Sequence, residues 1–353
     1  MTSRAVGFLE VLEQFAPGTK LRDAAELILR QETGALLVFG SAPEVDAVCS
    51  GGFELRNAEF TAQRIAELAK MDGGIVVSED ASSIMRANVQ FIPDPAIDTS
   101  ETGTRFRTAE RLAKQLGVPV LAVSEERRAV AVVFTGDNHF ALRNPNELLA
   151  EGNQNLVALE RLRRQLADAE DRLTRLEVDD GVTVRDVALL LARAALVRRM
   201  GAQIRRIVVE LGGAGDLISI QASDLGEGVD NVLELVIDDY ADRPMKPGEA
   251  SDRLRNVPDE SLKDLAVVAE ALGLGNLDQA VRPRGGRALE RVSRLPDNVK
   301  NSLLDHFGTL QKLLHASASE LAEVEGVGRT RANQLRGHLD RLLQHGTPFG
   351  LVD

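Results

Sequence analysis

The first 147 residues alternate between amphipathic helical patterns and short apolar runs, and this alternation constrains the fold more than any other feature. Helical patterns cover residues 21–31, 61–70 and 108–116. Apolar runs of strand length lie between and after them, at 35–39, 75–78, 120–123 and 129–134. Helices interleaved with apolar strands predict an α/β domain with a mixed, largely buried sheet flanked by helices.

The segment from 148 to 283 has a helical pattern instead. Leucine and alanine recur at alternating spacings of three and four between Leu159 and Leu176, with charged residues between them. Such a heptad seam predicts a long helix. Two interpretations stay open: a helical linker with a solvated face, or a spine that contributes to self-association.

The composition excludes several classes of protein. With no Trp and one Tyr in 353 residues, recognition of bases by aromatic stacking is not expected. A formal net charge of −12 argues against a general nucleic-acid coat protein, although residues 282–345 hold eleven Lys and Arg against seven Asp and Glu. Cys49 is the only cysteine, so no intrachain disulfide can form. The first 18 residues lack the continuous apolar run of a signal peptide or membrane span, so we expect a cytoplasmic protein.

Two short segments about thirty residues apart carry candidate chemistry. Asp72, Gly73 and Gly74 precede an apolar run, and Arg105 and Arg107 precede a helical pattern. A carboxylate can hold a metal, glycines allow a ligand to approach the backbone, and guanidinium groups bind phosphate. Either segment alone also occurs in surface turns or strand exteriors. Together they predict a site for a nucleotide polyphosphate.

A third motif lies near the C-terminus, at residues 321–335. Two predicted helices flank a tight Gly326-Val327-Gly328 turn, which is followed by Arg329 and Arg331. The pattern resembles the helix-hairpin-helix motif of DNA repair proteins, and a degenerate second copy occupies residues 294–308. Backbone N–H groups at such glycines contact DNA phosphates, so binding independent of sequence is predicted. The alternative is a helical hairpin that only packs or binds protein.

The chain resembles the bacterial diadenylate cyclase family in three blocks, at residues 65–73, 88–95 and 101–111. A helical middle and a C-terminal helix-hairpin-helix module follow in the order found in DNA-scanning members of that family. The resemblance covers essentially the whole chain. It implies a cyclase domain at 1–147, an all-α linker or spine at 148–283 and an all-α DNA-binding domain at 284–353.

The resemblance also implies a reaction, in which two ATP molecules condense to cyclic di-AMP with release of two pyrophosphates. Two cyclase domains meet face to face, so a homo-oligomer is expected, and an octamer is typical of the family. Asp72 would bind Mg²⁺ or Mn²⁺ and polarise the attacking 3′-hydroxyl, and Arg105 and Arg107 would stabilise the phosphates. The implied ATP-binding residues are Asp72, Gly73, Gly74, Thr104, Arg105, Arg107, Thr108, Ser124 and Arg128. Gly326, Gly328, Arg329 and Arg331 would contact double-stranded or branched DNA, which implies a nucleoid-associated protein of the DNA damage response.

The sequence departs from the family motif at two positions, and these leave a second function open. Gly74 stands where the family has Ala, and Phe106 stands where it has His. If the histidine acts in the cleft, its loss would weaken turnover. The alternative function is therefore a DNA-scanning binding protein with a weakened cyclase domain. A repair nuclease is a third candidate, but the sequence lacks a cluster of metal-binding residues, and Asp137-Asn138-His139 is better interpreted as a hairpin turn.

Overall fold

The computed structural model describes residues 8–40, 43–124, 131–241, 243, 245–292 and 295–345. The chain forms two compact units. The first consists of Met1–Asn153 with Arg205–Ser219, and the second of Gln154–Ile204 with Ile220–Asp353.

The first unit is built around a mixed sheet. Strands β1 (Ala35–Phe39) and β4 (Gly74–Val77) run parallel, with Leu37 opposite Ile75. The other strands are β2 (Cys49–Ser50), β3 (Phe53–Glu59), β5 (Ser83–Phe91), β6 (Val120–Val123), β7 (Ala131–Thr135) and β8 (Asn138–Ala141). Their pairings are antiparallel. Across the described residues the sheet order is β2-β5-β4-β1-β6-β7-β8, and β3 also pairs with β5.

Helices cover both faces of this sheet. They are α1 (Phe8–Gln14), α2 (Lys20–Arg30), α3 (Pro43–Ala47), α4 (Ala62–Leu68) and α5 (Thr104–Leu116). Leu37 belongs to a core that includes residues of α2 and α4, whereas its neighbour Val38 belongs to a second core with Leu112 of α5. Because successive strand residues face opposite sides, both faces must be apolar. The predicted α/β domain with a mixed sheet is confirmed.

One local expectation was wrong. Helix α5 begins at Thr104, four residues before the predicted start, so Arg105 and Arg107 lie in its first turns and not ahead of it. The helical pattern of α5 begins with polar residues, which is why the apolar periodicity did not reveal its first turn.

Strand β5 was not predicted, although it forms a wall of the site described below. Its polar residues include Arg86, Asn88 and Gln90. The register against β4 shifts twice along its length, and Asn88 has φ of +53°. Polar and apolar residues nevertheless alternate from Arg86 to Phe91, so the sequence does contain a strand pattern here, but no continuous apolar run marks it.

The rest of the described chain is mainly helical, as predicted. The middle helices are α6 (Pro145–Val178), α7 (Val184–Leu211), α8 (Asp216–Gly226), α9 (Val229–Tyr240), α10 (Glu249–Arg255) and α11 (Leu265–Leu272). In the heptad seam of α6, Leu159, Leu166, Ala169 and Leu173 are buried within the chain, and Leu162 and Leu176 are half-buried. The seam therefore packs largely within the chain itself.

Five further helices follow: α12 (Gly286–Glu290), α13 (Asp297–Phe307), α14 (Leu310–His315), α15 (Ala318–Ala322) and α16 (Arg329–His345). They share a core that includes Leu289, Leu303, Leu321 and Leu335. Among the described residues no helix is both long and apolar enough to cross a membrane.

A buried polar cluster connects α6, α9 and α12 in the second unit. Arg287 Nη1 donates to Glu177 Oε1 at 2.6 Å, and the hydroxyl of Tyr240 donates to the same oxygen at 2.7 Å. The neighbouring carboxylate of Asp239 accepts from the backbone N–H groups of Gly285, Gly286 and Arg287, at 2.6 to 3.0 Å. All four side chains are buried. The start of α12 is thus anchored by charge and hydrogen bonds, not by apolar packing alone.

Candidate active site

An open cleft of about 1060 Å³ lies where β1 and β4 begin and β5 and β6 end, beside the first turn of α5. Most of the residues that the sequence assigned to nucleotide binding line it. They are Asp72, Gly73, Gly74, Thr104, Arg105, Thr108 and Ser124. Arg107 does not line the cleft, and Arg128 lies outside the described residues.

Asp72 projects at the mouth of this cleft, immediately before β4. Its side chain is exposed and makes no hydrogen bond or ion pair within the described part of the chain. The adjacent Lys70 is instead held by Glu67, with Nζ 2.6 Å from Oε1. The Asp72 carboxylate is therefore available to a ligand.

The described residues do not bring together three or more His, Cys, Asp or Glu side chains suited to a metal ion. Mg²⁺ needs no such group, because it is commonly held by one or two carboxylates together with substrate phosphates and water. Asp72 fits this kind of site, in which a bound nucleotide would supply the other oxygen ligands.

Gly73 and Gly74 are required by close contacts with β5. A Cβ atom on Gly73 would lie 2.5 Å from Oδ1 of Asn88 and 2.6 Å from its Cα. A Cβ atom on Gly74 would lie 2.0 Å from Cε2 of Phe91. Position 74, where the family motif has Ala, is therefore filled by a neighbouring aromatic ring.

Arg105 lies across the backbone of Gly34. A Cβ atom at Gly34 would be 2.3 Å from Nη1 of Arg105, so a side chain there would displace the guanidinium group. Nη1 also lies 3.5 Å from the backbone oxygen of Val123, at the end of β6. These contacts hold the Arg105 side chain along the wall of the cleft.

The helical backbone separates Arg105 from Arg107. Residues two apart on an α-helix point in directions about 160° apart, whereas residues three or four apart share a face. Thr104, Arg105 and Thr108 accordingly line the cleft, and Arg107 is exposed outside it. The expectation that both arginines hold one triphosphate assumed that they precede the helix, and the structure does not bring them together.

Phe106 is half-buried and reaches both the cleft and the core. Its ring meets Phe134 edge to face, with centroids 6.3 Å apart, and packs against the core beneath α5. It also lines the cleft. An aromatic ring at this position thus has a packing role that does not depend on the donor atoms of a histidine.

The turn between α15 and α16 contains Gly326 and Gly328 and leads directly to Arg329 and Arg331. Gly326 has φ of +84°, and a Cβ atom there would meet Val299 of α13 at 3.0 Å. Arg331 folds back, so that Nη1 donates to the backbone oxygen of Gly326 at 2.6 Å. Arg329 is exposed at the start of α16. Contact with DNA stays a prediction for this hairpin.

Two family models match the chain. A DisA bacterial checkpoint controller nucleotide-binding model covers residues 22–138, and a DisA bacterial checkpoint controller linker model covers residues 142–281. The DNA integrity scanning protein DisA of Kineococcus radiotolerans is 47% identical over 346 residues, which are 95% of this chain and 96% of that protein. The protein of the same name from Acidothermus cellulolyticus is 45% identical over 346 residues, or 94% and 92% of the two chains. The chain belongs to the DisA family.

The cleft lies within the segment matched by the nucleotide-binding model of the DisA family, so this segment is a nucleotide-binding domain. Among solved structures, a double mutant of DacA from Staphylococcus aureus is similar with a TM-score of 0.30 and 20% identity, over 40% of this chain and 92% of that one.

Several residues of the cleft were missed in the sequence. Gly34, Phe91 and Glu101 all line it, yet none belongs to the two segments first assigned to chemistry. Gly34 meets Arg105 across seventy residues of chain, and no local pattern carries such a contact. Phe91 and Glu101 do lie within blocks 88–95 and 101–111, which resemble the cyclase family, so the sequence contained a partial signal for them.

Proposed function

We propose that the protein is a metal-dependent diadenylate cyclase, which condenses two ATP molecules to cyclic di-AMP and releases two pyrophosphates. The observation that carries this proposal is the gathering of Asp72, Gly73, Thr104, Arg105, Thr108 and Ser124 around one cleft of a DisA-family chain. These residues combine an available carboxylate, a glycine whose backbone a ligand can approach closely, and a cation. Transfer of a nucleotidyl group requires groups of these kinds.

Asp72 and Arg105 have separate tasks in this reaction. The 3′-hydroxyl oxygen of one ATP attacks the α-phosphorus of the other, its proton passes to solvent, and the bond from the α-phosphorus to pyrophosphate breaks. Asp72 would orient the attacking hydroxyl and supply a carboxylate oxygen to Mg²⁺ or Mn²⁺, which would offset phosphate charge. Arg105 and the uncapped N-terminus of α5, which has no capping side chain at Gly103, hold the phosphate chain.

One cleft cannot complete the reaction, because the two attacks need two nucleotides held antiparallel and in line. The proposal therefore includes a homo-oligomer in which two cyclase domains face each other. We keep the octamer of the family as the expected assembly and 1–147 as the cyclase domain.

The test is to incubate the purified protein with ATP and Mn²⁺ or Mg²⁺ and to detect cyclic di-AMP by mass spectrometry. Asp72→Asn should remove the product. Glu79→Gln is a matched control, because Glu79 is an exposed carboxylate just after β4 that does not line the cleft. Product that persists in Asp72→Asn would contradict the role of this residue.

A second candidate is a DNA-scanning protein that binds ATP without efficient turnover, and Phe106 is the observation that favours it. The contact with Phe134 argues for tolerance, since the ring stabilises the start of α5. Phe106→His distinguishes the two candidates. A gain of product of about a hundredfold would favour the weakened cyclase, the size expected when a charge-stabilising donor is restored.

We also propose that residues 284–353 bind double-stranded or branched DNA through phosphate contacts, and that bound DNA influences the cyclase. The exposed Arg329 and the hairpin at Gly326–Gly328 support this proposal. Arg329→Glu should weaken binding equally for DNA of unrelated sequences. It should also reduce the slope of log K against log salt concentration by about one, the value for one lost phosphate contact.

Arg331→Glu is a less clean variant, because it also removes the hydrogen bond to Gly326 that holds the hairpin. Glu323→Arg is the converse variant: Glu323 is exposed beside the hairpin, so the added positive charge should strengthen DNA binding. If Arg329→Glu has unchanged affinity and an unchanged salt slope, DNA does not bind at this hairpin.

A further inference from the structure

The segment that leads into α5 is fixed by one buried carboxylate on that helix. Glu110 is 7% exposed. Its Oε2 accepts from the hydroxyl of Thr99 at 2.5 Å, from the N–H of Ser100 at 3.0 Å and from the N–H of Glu101 at 3.3 Å. Its Oε1 accepts from Nζ of Lys114 at 2.8 Å. One side chain thus satisfies donors from three consecutive residues of a loop.

Other residues of α5 hold the preceding part of the same segment. Arg111 Nε donates to the backbone oxygen of Ile97 at 2.8 Å, and Lys114 Nζ donates to that of Asp98 at 3.1 Å. The side-chain oxygen of Gln115 accepts from the N–H of Asp94 at 2.8 Å. The face of α5 that carries Glu110, Arg111 and Lys114 therefore orders a segment that has neither helix nor strand of its own.

This segment ends in the cleft. Glu101, Thr102 and Gly103 line it, directly before the turn of α5 that presents Thr104 and Arg105. The hydrogen bonds of Glu110 reach as far as the N–H of Glu101, the first of these lining residues. A change at Glu110 is therefore expected to reach the wall of the cleft without removing any group that lines it.

We propose that Glu110 is a positioning residue, which fixes residues 99–103 as a wall of the nucleotide cleft. The expected change in KM rests on the proposed function, whereas the expected ordering of residues 99–103 by Glu110 does not. Residues 101–103 would contact the nucleotide both before and during the reaction. Their loss of order should weaken the binding of ground state and transition state alike, and so raise KM more than it lowers kcat.

The charge of Glu110 suits this task across the working range of pH. Burial opposes its ionisation, but hydrogen bonds from Lys114, Thr99 and the N–H of Glu101 outweigh burial and lower the pKa to about 2. The carboxylate is therefore a permanent acceptor and does not act as a pH switch at neutral pH.

Glu110→Ala is the direct test, with two readouts. We expect KM for ATP, and the Kd for the non-cyclisable analogue α,β-methylene-ATP, to rise about tenfold, with kcat changed less than about threefold. We also expect faster hydrogen exchange at the amides of Ser100 and Glu101, which Glu110 protects. Glu110→Gln keeps one oxygen acceptor and should rescue most of both effects.

Two further variants separate positioning from general stability. Glu26→Gln is a matched control, because Glu26 pairs with Arg22 and Arg30 on α2 and lies away from the cleft. It should lower Tm without changing Kd. If Glu110→Ala does not fold, Thr99→Val removes the shortest of the loop hydrogen bonds while keeping the side-chain shape, and should raise Kd about threefold.

The outcomes distinguish this inference from the proposed function. Wild-type Kd and wild-type exchange in a folded Glu110→Ala, or in Thr99→Val if that variant replaces it, would overturn the positioning role whatever the activity. A weakened Kd with faster exchange supports it. If the native protein makes no cyclic di-AMP while the analogue still binds and Glu110→Ala still weakens that binding, the cyclase proposal fails and the positioning role stands.

Discussion

Gly74 and Phe91 form a packed pair at the residue scale, and their sizes should be coupled. Gly74→Ala places a methyl group where the Phe91 ring lies, with 2.0 Å between the ideal Cβ and Cε2. Overpacking of this kind destabilises by about 1–3 kcal/mol. We expect Gly74→Ala to lower the free energy of unfolding by this amount and to weaken ATP binding, because both residues line the cleft. Urea denaturation and titration calorimetry measure the two effects.

Phe91→Leu tests the coupling, since a smaller side chain makes room for the methyl group. The double variant Gly74→Ala with Phe91→Leu should recover most of the stability that Gly74→Ala loses. Additive losses in the double variant would show that the ring is not the obstacle.

Arg105 and Arg107 offer a matched pair of the same residue type two positions apart. Arg105→Ala should weaken ATP binding at least about tenfold, the loss expected for a charged hydrogen-bonding group, whereas Arg107→Ala should change Kd less than about twofold. Gly34→Ala should imitate part of the Arg105 effect, because its methyl group would displace the guanidinium. Calorimetry with the non-cyclisable analogue measures all three, and equal losses for both arginines would contradict the observed geometry.

At the scale of elements, the cluster of Glu177, Asp239, Tyr240 and Arg287 determines how firmly α12 is held. Arg287→Met leaves two buried carboxylates without their cation, which typically costs about 3–5 kcal/mol. Arg282→Met is the control, because Arg282 pairs with Asp180 at 2.9 Å on the surface, where such pairs contribute about 0–1 kcal/mol. Urea denaturation should separate the two variants clearly. Equal losses of stability would show that the buried cluster contributes no more than a surface pair.

Strands that consist of an unbroken apolar run could be predicted from the sequence, whereas a strand with polar residues and a bulge beside the cleft was not. Strand β1 was placed at 35–39, as observed, because it is an unbroken apolar run. Strand β5 was not predicted, although residues 86–91 alternate between polar and apolar, because it contains no continuous apolar run like that of β1. Its backbone irregularity at Asn88, where Asn88 lies against Gly73 and Phe91 against Gly74, shapes the cleft and has no signal in the sequence.

The site residues divide in a similar way. Asp72 and Arg105 could be named because a carboxylate near glycines and an arginine near a helix are chemically suggestive in sequence. The separate positions of Arg105 and Arg107 depend on where α5 begins, which the sequence placed four residues too late. Gly34 and Glu110 act through contacts with other segments of the chain. A local sequence pattern does not predict such contacts.

At the scale of the whole molecule, Glu110 of the first unit and Asp239 of the second should contribute to stability with opposite dependence on pH. The lowered pKa of Glu110, about 2 against an ordinary 4.5, gives the first unit stability that is lost as pH falls from 4.5 to 2. Burial raises the pKa of Asp239 to about 6 from 3.8, despite hydrogen bonds from Arg287 and Gly286. That group binds more protons when folded, so its contribution to stability grows as pH falls from 6 to 3.8.

Hydrogen exchange resolved by peptide, between pH 3 and 7, separates these contributions. Glu110→Gln should reduce the pH dependence of stability measured by exchange in peptides of the first unit only. Asp239→Asn should reduce it in peptides of the second unit only. A change that appears in both units for either variant would contradict independent titration.

The first unit is not continuous in sequence, and this matters to anyone who wishes to isolate it. Arg143 makes two hydrogen bonds to Glu210, at 2.8 and 2.9 Å, and Gly152 lies against Ile207 and Ile218. A fragment that stops at residue 147 discards Glu210, Gly152 and both isoleucines while keeping Arg143. In such a fragment Arg143 would lose the carboxylate of Glu210, so poor solubility or low activity would result from the truncation and would say nothing about catalysis. A sounder excision keeps the chain through residue 219.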